Sequence, residues 1–332
     1  MKTIGIIFGG ANSEHEVSCN SARSVESHLE RTHYETVLIG IDRRGRWHRV
    51  ESVDALADAV GGARLPDLDG IDVAFPVLHG RFGEDGTVQG LLELAGLPYV
   101  GCGVLASALA MDKLLSQRVL DASGIPTIPT HSVTAATVHE AVEFASSVGY
   151  PLFVKPNRAG SSVGVSRVSS EDELAAALEL ALSHDTIALM QQAVEGDEVD
   201  LGVLQLIDGE LIVGAPLRVL PAESTVFFDY AAKYTAGGAK LEVPAKIPAA
   251  VSAQLIELAK LAFTTLGCEG LARVDFFVGT DGAITLNEVN TLPGLTAFSQ
   301  YPRMWDAVGM TYPELLGKLI DRAGVAFAAA GS

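Results

Sequence analysis

Runs and alternations of apolar residues predict a strand–helix plan for the first third of the chain. Residues 3–8 form an unbroken apolar run that stops at Gly9-Gly10, residues 16–29 carry helical spacing, and residues 34–41 and 73–78 are further strand-like runs, the last followed by His79-Gly80. Strands alternating with helices imply a parallel sheet, whose ligands bind beyond the C-terminal strand ends, and Gly9-Gly10 and His79-Gly80 both fall there. The segment 80–90, rich in glycine and charge, reads by residue type alone as a surface loop. A first domain closes near Gly101.

The pattern then changes. Residues 112–121 read as a helix broken by Ile125-Pro126 and Ile128-Pro129, residues 138–147 as a second helix, and 152–155 as a strand. A loop with Gly160, Ser161 and Ser162 follows, then a short strand over 165–168, and Ser170 with Glu173 reads as a capping box for the next helix. Strand, Gly/Ser loop, strand is the pattern of a hairpin closing over a phosphate, with Lys155 placed to neutralise its charge. Residues 187–192 read as a strand leaving this unit, and 199–207 with 211–215 as a hairpin through Asp208-Gly209. Residues 222–241, with Phe227, Phe228, Tyr230, Lys233 and Tyr234, form a long loop of the kind that serves as a lid. Helices over 249–266 and 313–322 flank the last pair of strands.

That pair, 271–278 and 283–289, joins at Asp281-Gly282, a strong hairpin signal. With Asp281 and Gly282 as the central residues, Thr280 faces Ala283, Asp275 faces Glu288 and Arg273 faces Asn290, all four of the last-named on one face. Two carboxylates across a ladder are only ~5 Å apart and repel unless a cation lies between them. Oxygen donors from Asp, Glu and Asn suit a hard ion such as Mg2+ that also binds substrate phosphates. Pairing of the carboxylates with Arg273 on a solvated face is the competing reading.

Composition narrows the classes. The 332 residues call for two or three domains, and a net charge of -18, from 41 acidic against 23 basic residues, disfavours nucleic acid as a partner. Three cysteines, Cys19, Cys102 and Cys268, are scattered along the sequence without metal-like spacing and predict reduced thiols in the cytoplasm. The N-terminus reads as a strand rather than a signal peptide, and no apolar stretch approaches the ~20 residues of a membrane span. Gly160-Ser161-Ser162-Val163-Gly164 fits the nucleophile elbow of a serine hydrolase, but that elbow turns from strand into helix, whereas strand follows here, and the last histidine is His184.

Together the motifs resemble the D-alanine:D-alanine ligases of the ATP-grasp superfamily over essentially the whole chain. They are GGANSEHEVS (9–18), LHGRFGEDGTVQG (78–90), GVLASALAMDK ending at Lys113, VKPNRAGSSVGVSRV (154–168), DYAAKY (229–234), GLARVDFF (270–277) and LNEVNTLPGLTAFS (286–299). The resemblance implies an α/β protein, α+β in its C-terminal half. A parallel α/β domain (1–101) would precede a central ATP-grasp subdomain (102–190) and a C-terminal subdomain with lid and metal site (191–332), with the nucleotide between the last two. A nucleotide-binding regulator that kept only the fold is the alternative to an enzyme, and the joint presence of Lys155, Arg273, Asp275, Glu288 and Asn290 speaks against it.

By that resemblance, Lys113 and Lys155 contact ATP phosphates, the loop Gly160–Ser162 covers them, Glu198 holds the ribose, Phe277 packs on the adenine, and Gln191 stands where the family has a glutamate beside the adenine amino group. Lys233 reaches the terminal phosphate. Asp275, Glu288 and Asn290 bind two Mg2+ ions, with Mn2+ as a substitute. Glu14 holds the ammonium of the first D-alanine with His79 nearby. Glu14, Ser161 and Tyr234 form a hydrogen-bonded set. Arg273 and the Gly294 N–H stabilise the tetrahedral oxyanion, and Ser299 binds the second D-alanine. The run NEVNTLPGLTAFSQYPRMW is also similar to resistance-type relatives that use D-lactate, which carry histidine at the position of Tyr234, so this chain is expected to use D-alanine, with a resistance-type D-alanine:D-serine or D-alanine:D-lactate ligase as the alternative. A cytoplasmic homodimer joined through the first domain is also implied.

Overall fold

The structure, a computed structural model, describes residues 1–30, 32–221 and 239–330. In the first sheet β1 (Lys2–Gly9) pairs in parallel with β2 (Tyr34–Ile41) and β4 (Val73–Pro76), and β3 (Trp47–Val50) adds an antiparallel edge to β2. The order is β3-β2-β1-β4. Only β3 escapes the sequence pattern: its four residues are partly exposed and too few to establish a period.

Ile4, Ile6, Phe8 and Phe75 of this sheet pack with Ala22 and Val25 of α1 (His15–His28). They share that core with Leu315, Leu319 and Ile320, which belong to the last helix of the chain (Tyr312–Ala330). Each such aliphatic side chain taken fully from water contributes roughly 1.5–3 kcal/mol. The parallel domain therefore draws part of its core from the far end of the sequence.

On the sheet's other face Val88 and Leu92 of α2 (Thr87–Leu94) pack with Ile7, Ile39 and Ala74, and the linker after this domain leads through α3 (Val104–Met111) and α4 (Lys113–Ala122). The second sheet is antiparallel, in the order β5 (Thr130–Val133), β8 (Ala188–Gln192), β6 (Leu152–Pro156), β7 (Ser166–Val168), packed with α5 (Ala141–Val148) and α6 (Glu171–His184). Here β8, expected to leave the unit, lies inside the sheet between β5 and β6. The expected capping box does not form: the Ser170 side chain makes no cap bond, and Glu173 reaches past it to accept from the Ser169 N–H at 2.7 Å.

The third sheet runs β12 (Ala239–Glu242), β11 (Leu217–Pro221), β9 (Asp197–Gln205), β13 (Leu271–Val278), β14 (Ile284–Asn290), with β10 (Leu211–Val213) added to β9 as the expected hairpin. Leu255, Ala262 and Phe263 of α7 (Ala249–Thr265) cover it. Two helices return the chain to the first domain: the short α8 (Gln300–Asp306) and the 19-residue α9 (Tyr312–Ala330), the helix already met in its core.

Asp275 does face Glu288, and Arg273 faces Asn290. The route differs from the simple two-residue turn. Gly279, not Thr280, pairs with Ala283, its N–H donating to the Ala283 carbonyl at 2.8 Å, so the turn holds three residues, 280–282. The register then shifts between Asp275 and Phe276, with Asn287 as the extra residue opposite them, and this bulge restores the pairing. Cys102 and Cys268, distant in sequence, meet in the core beneath β13 as free thiols; the hydrogen bond to Cys102, with burial, pushes the Cys268 thiol well up.

Candidate active site

The site is assembled where the three sheets converge. At the end of β1 the backbone needs Gly9 in the left-handed region (φ 91), and a Cβ there would lie 2.2 Å from the Ile41 carbonyl oxygen. The Gly9 N–H donates to Ser18 Oγ at 2.9 Å, and that hydroxyl donates to the Val77 carbonyl at 2.7 Å, which fixes α1 against the ends of β1 and β4. Asn12 clamps the neighbouring loop. Its amide nitrogen donates to the carbonyls of His79 and Arg81 at 2.9 and 3.0 Å, while its oxygen accepts from the Glu14 N–H at 3.0 Å.

Glu14, only 6 % exposed, thus points into the cleft beside Gly80, and Ser161 Oγ donates to its carboxylate from the second sheet. Ser161 and Ser162 both adopt left-handed backbone (φ 51 and 58), unusual for residues with a Cβ and typical of loops held for a ligand. The base of that loop is fixed on both sides. Arg158 is bidentate on Asp185 (3.1 and 2.7 Å), and buried Asn157 accepts from the Leu114 N–H at 2.9 Å, seating the start of α4 and Lys113 against the end of β6. Lys113 Nζ donates to the Ala159 carbonyl at 2.8 Å and lies 3.6 Å from Glu288. No helix follows the loop, so the nucleophile-elbow geometry is absent.

His79 is buried. Nε2 pairs with Ser21 Oγ at 3.1 Å, and the ring also bonds the Leu292 backbone, linking the first domain to the segment that carries Gly294. Burial lowers its pKa to about 4, so the imidazole is neutral at pH 7. Beside it, burial and the charge of Glu14 push Glu84 up to about 8, against the Gly80 N–H that donates to it at 2.7 Å. At neutral pH the two carboxyls therefore do not face each other as two anions.

On the third sheet Arg273 donates through Nε and NH2 to both oxygens of Asp275, each at 2.7 Å, and Asn290 Nδ2 donates to Asp275 at 2.9 Å. Burial opposes the guanidinium charge, but Asp275, Asp200 and Glu288 outweigh it and hold its pKa well above the usual arginine value. Carboxylate oxygens of Glu198, Asp200 and Asp275 lie within 4.8 Å of one another. An all-oxygen, mostly buried set of this kind fits a hard divalent cation. It overlaps the sequence-derived trio of Asp275, Glu288 and Asn290 at Asp275 alone. Arg273–carboxylate pairing, the competing reading of the hairpin, is thus also present in the structure.

Phe277, half-buried, neighbours Glu198 across the β9–β13 ladder, bringing an aromatic ring beside a carboxylate. Gln191 is buried, and its amide nitrogen donates to Thr130 Oγ1 at 2.8 Å. In the turn before α8, Ser299 Oγ accepts from the Thr296 N–H at 3.1 Å, and a Cβ on Gly294 would lie 3.1 Å from that oxygen. Lys155 sits half-buried at the end of β6. Lys233 and Tyr234, with the rest of the expected lid, lie outside the described residues.

Four residues of the site were not singled out in the sequence. Asn12 acts on backbone just before α1 and Ser21 on the imidazole from the middle of that helix, Glu84 was absorbed in a charged loop, and Asp200 sits inside an apolar run, where a lone buried acid was the available signal.

Residues 3–102 match the family described as D-ala D-ala ligase N-terminus and residues 119–321 the one described as D-ala D-ala ligase C-terminus. The chain is 43% identical over 345 residues to D-alanine–D-alanine ligase A of Mesorhizobium japonicum, covering 96% of each. Among solved structures it superimposes on the VanG D-Ala:D-Ser ligase of Enterococcus faecalis with a TM-score of 0.86 and 37% identity, covering 97% of this chain and 99% of that one. It also matches the D-alanine–D-alanine ligase of Bacillus anthracis complexed with ATP, with a TM-score of 0.81, 30% identity and 100% of both chains. Two family matches in the expected order, carried on an ATP-grasp arrangement of three sheets around one cleft, establish that the chain belongs to the D-alanine–D-alanine ligase family.

Proposed function

We propose that the protein joins two molecules of D-alanine at the expense of ATP, through a D-alanyl phosphate, to give D-alanyl-D-alanine, ADP and phosphate for peptidoglycan precursors. The observation that carries this reading is the hydrogen bond from Ser161 to Glu14, which ties the phosphate-covering loop to the carboxylate that receives an amino acid. An enzyme that only bound ATP would have no need of that link.

In this reading Glu14 holds the ammonium of the first D-alanine, against the ring of His79, so that its carboxylate faces the nucleotide. Lys113 and Lys155 hold phosphates under the loop of Gly160, Ser161 and Ser162, and Glu198 and Phe277 take the ribose and adenine. Gln191, whose amide nitrogen serves Thr130, offers its carbonyl oxygen to the adenine amino group. The carboxylate of the first D-alanine attacks the terminal phosphorus, with Lys155, Lys233 and Arg273 offsetting the repulsion between anions. Asp275, Glu288 and Asn290, with Glu198 and Asp200 close by, would hold two Mg2+ ions, which supply charge neutralisation on the phosphates. Ser299 binds the carboxylate of the second D-alanine, whose amine attacks the acyl carbon as phosphate leaves. Arg273 and the Gly294 N–H receive the oxyanion, a donor pair of the kind worth about 10²–10³ in turnover. Closure of the lid with Lys233 and Tyr234 keeps water from the acyl phosphate.

The likeness to the VanG enzyme favours one second reading, with D-serine as the second substrate. Phosphate release from ATP with Mg2+ and D-alanine, with products identified in competition among D-alanine, D-serine and D-lactate, tests both. No release despite ATP binding rejects ligation, and a predominantly mixed product rejects D-alanine as the second substrate. A cytoplasmic homodimer joined through the first domain is part of the reading, carried by the family resemblance. Nucleic acid is disfavoured by the charge of -18. A membrane is not expected as a partner, since among the described residues no helix is long and apolar enough to cross one.

A further inference from the structure

Asp200 is fully buried in β9, opposite Asp275 on β13, and the next inward-facing position of β9, Gly202, lies opposite Arg273. Gly202 carries no side chain, and a Cβ there would come within 3.0 Å of the Tyr301 ring, so the first turn of α8 docks directly on β9. Tyr301 completes that docking by donating to the Val203 carbonyl at 2.8 Å. One oxygen of Asp200, Oδ2, accepts from Gln300 Nε2 at 2.7 Å and lies 3.8 Å from Arg273 Nε. Gln300 directly follows Ser299. A single carboxylate oxygen thus touches both the residue beside the second-substrate hydroxyl and the guanidinium.

We propose that Asp200 and Gln300 are positioning residues that lock the turn carrying Ser299 to the guanidinium of Arg273, and so set the distance between the second amino acid's carboxylate and the acyl carbon it attacks. The inference rests on the roles proposed above for Arg273 and Ser299. Asp275 and Asp200 both belong to the candidate metal set, but Asp275 bonds only the guanidinium and Asn290 of the same hairpin, whereas Asp200 Oδ2 is bonded to Gln300 and so ties Arg273 to α8. Asp200 supplies a second negative charge whose direction is fixed by an amide from α8. Such coupling affects the second half-reaction, where the amine approaches, more than the first, where only the nucleotide and the first D-alanine react.

The test compares full-length Gln300→Leu and Asp200→Asn with the unmodified protein in three assays. These are the separate KM values for the first and second D-alanine, thermal unfolding, and trapping of the acyl phosphate by hydroxylamine, which forms the hydroxamate and releases phosphate without a second amino acid. Gln300→Leu is expected to raise the second KM about tenfold, the loss of one hydrogen bond to a charged group, while the first KM and hydroxamate formation hold. Asp200→Asn is expected to slow dipeptide formation about tenfold or more, with Asp200→Glu recovering part of it. Equal rises in both KM values, or an unchanged second KM in Gln300→Leu, overturn the proposal whatever happens to folding in Asp200→Asn. Arg273→Met separates the layers. If it leaves dipeptide synthesis intact, the role of Arg273 and this inference fall together. If it abolishes synthesis while Gln300→Leu and Asp200→Asn match the unmodified protein, this inference alone is wrong.

Discussion

A methyl group added at Gly80 tests whether Glu14 receives the first substrate. Gly80 sits in the left-handed region (φ +67), and a Cβ built there lies 1.8 Å from Glu14 Oε2. Ordinary contact requires the carboxylate to retreat by roughly 1.5 Å. Misplacing a group that orients substrate by about 1 Å can cost about 10²-fold in rate, or about 2.7 kcal/mol in the transition state. Left-handed strain on an alanine adds roughly 1–2 kcal/mol of lost stability. Gly124 supplies the control, since its φ is +81 but nothing lies within 4 Å of a Cβ there. Gly80→Ala and Gly124→Ala should therefore lose similar stability, and only Gly80→Ala should lose kcat/KM. Phosphate release measured over a wide D-alanine range resolves the two substrate terms, and the loss is expected mainly in the first. If Gly80→Ala retains the unmodified kcat/KM for the first D-alanine while melting like Gly124→Ala, Glu14 does not hold that substrate.

Three further outcomes are expected. Glu288→Gln should lower turnover by about 10²-fold or more with little change in melting temperature, and unchanged turnover at saturating Mg2+ removes Glu288 from the metal site. Burial holds His79 near pKa 4 against an ordinary 6.5, so its contribution to stability is complete above pH 6.5 and is lost as pH falls through 4, roughly 3 kcal/mol over that window. The stability of His79→Gln should fall less steeply than that of the unmodified protein between pH 6.5 and 4, and parallel slopes in denaturant titrations would contradict the assigned burial. With D-alanine, D-serine and D-lactate in competition at neutral pH, D-alanyl-D-alanine should dominate, and ester formation at the same rate would discount Tyr234 as the discriminating residue.

The hairpin of β13 and β14 shows both the reach of sequence pattern and its limit. Asp281-Gly282 and alternating apolar residues were enough to place Asp275 opposite Glu288, yet the turn is one residue longer than that argument assumed. The bulge at Asn287 returns the register, and nothing in the residue types there distinguishes a bulge from a regular strand. Asp200 was hidden for a different reason. Six consecutive residues of β9 are buried, so the strand has no exposed face and no alternation from which to read the direction of its acid. The capping box failed because Glu173 satisfies the Ser169 N–H instead, a choice between adjacent donors that sequence spacing does not decide. Motifs around Glu14, His79 and the Gly/Ser loop were legible because their chemistry is local, whereas the Asp200–Gln300 and His79–Leu292 links join distant segments.

The sharing of one core between β1, β4 and α9 bears on how the chain reaches its folded state during synthesis. The parallel sheet is translated first, but Leu315, Leu319 and Ile320, which cover Ile4, Phe8 and Phe75, are translated more than two hundred residues later. At about 5–20 residues per second, that interval is on the order of tens of seconds. Throughout it, the first sheet carries an apolar face awaiting its cover. The nascent chain therefore depends on whatever shields that face in the meantime, and a fragment ending before α9 should be far more prone to aggregate than its own sequence suggests.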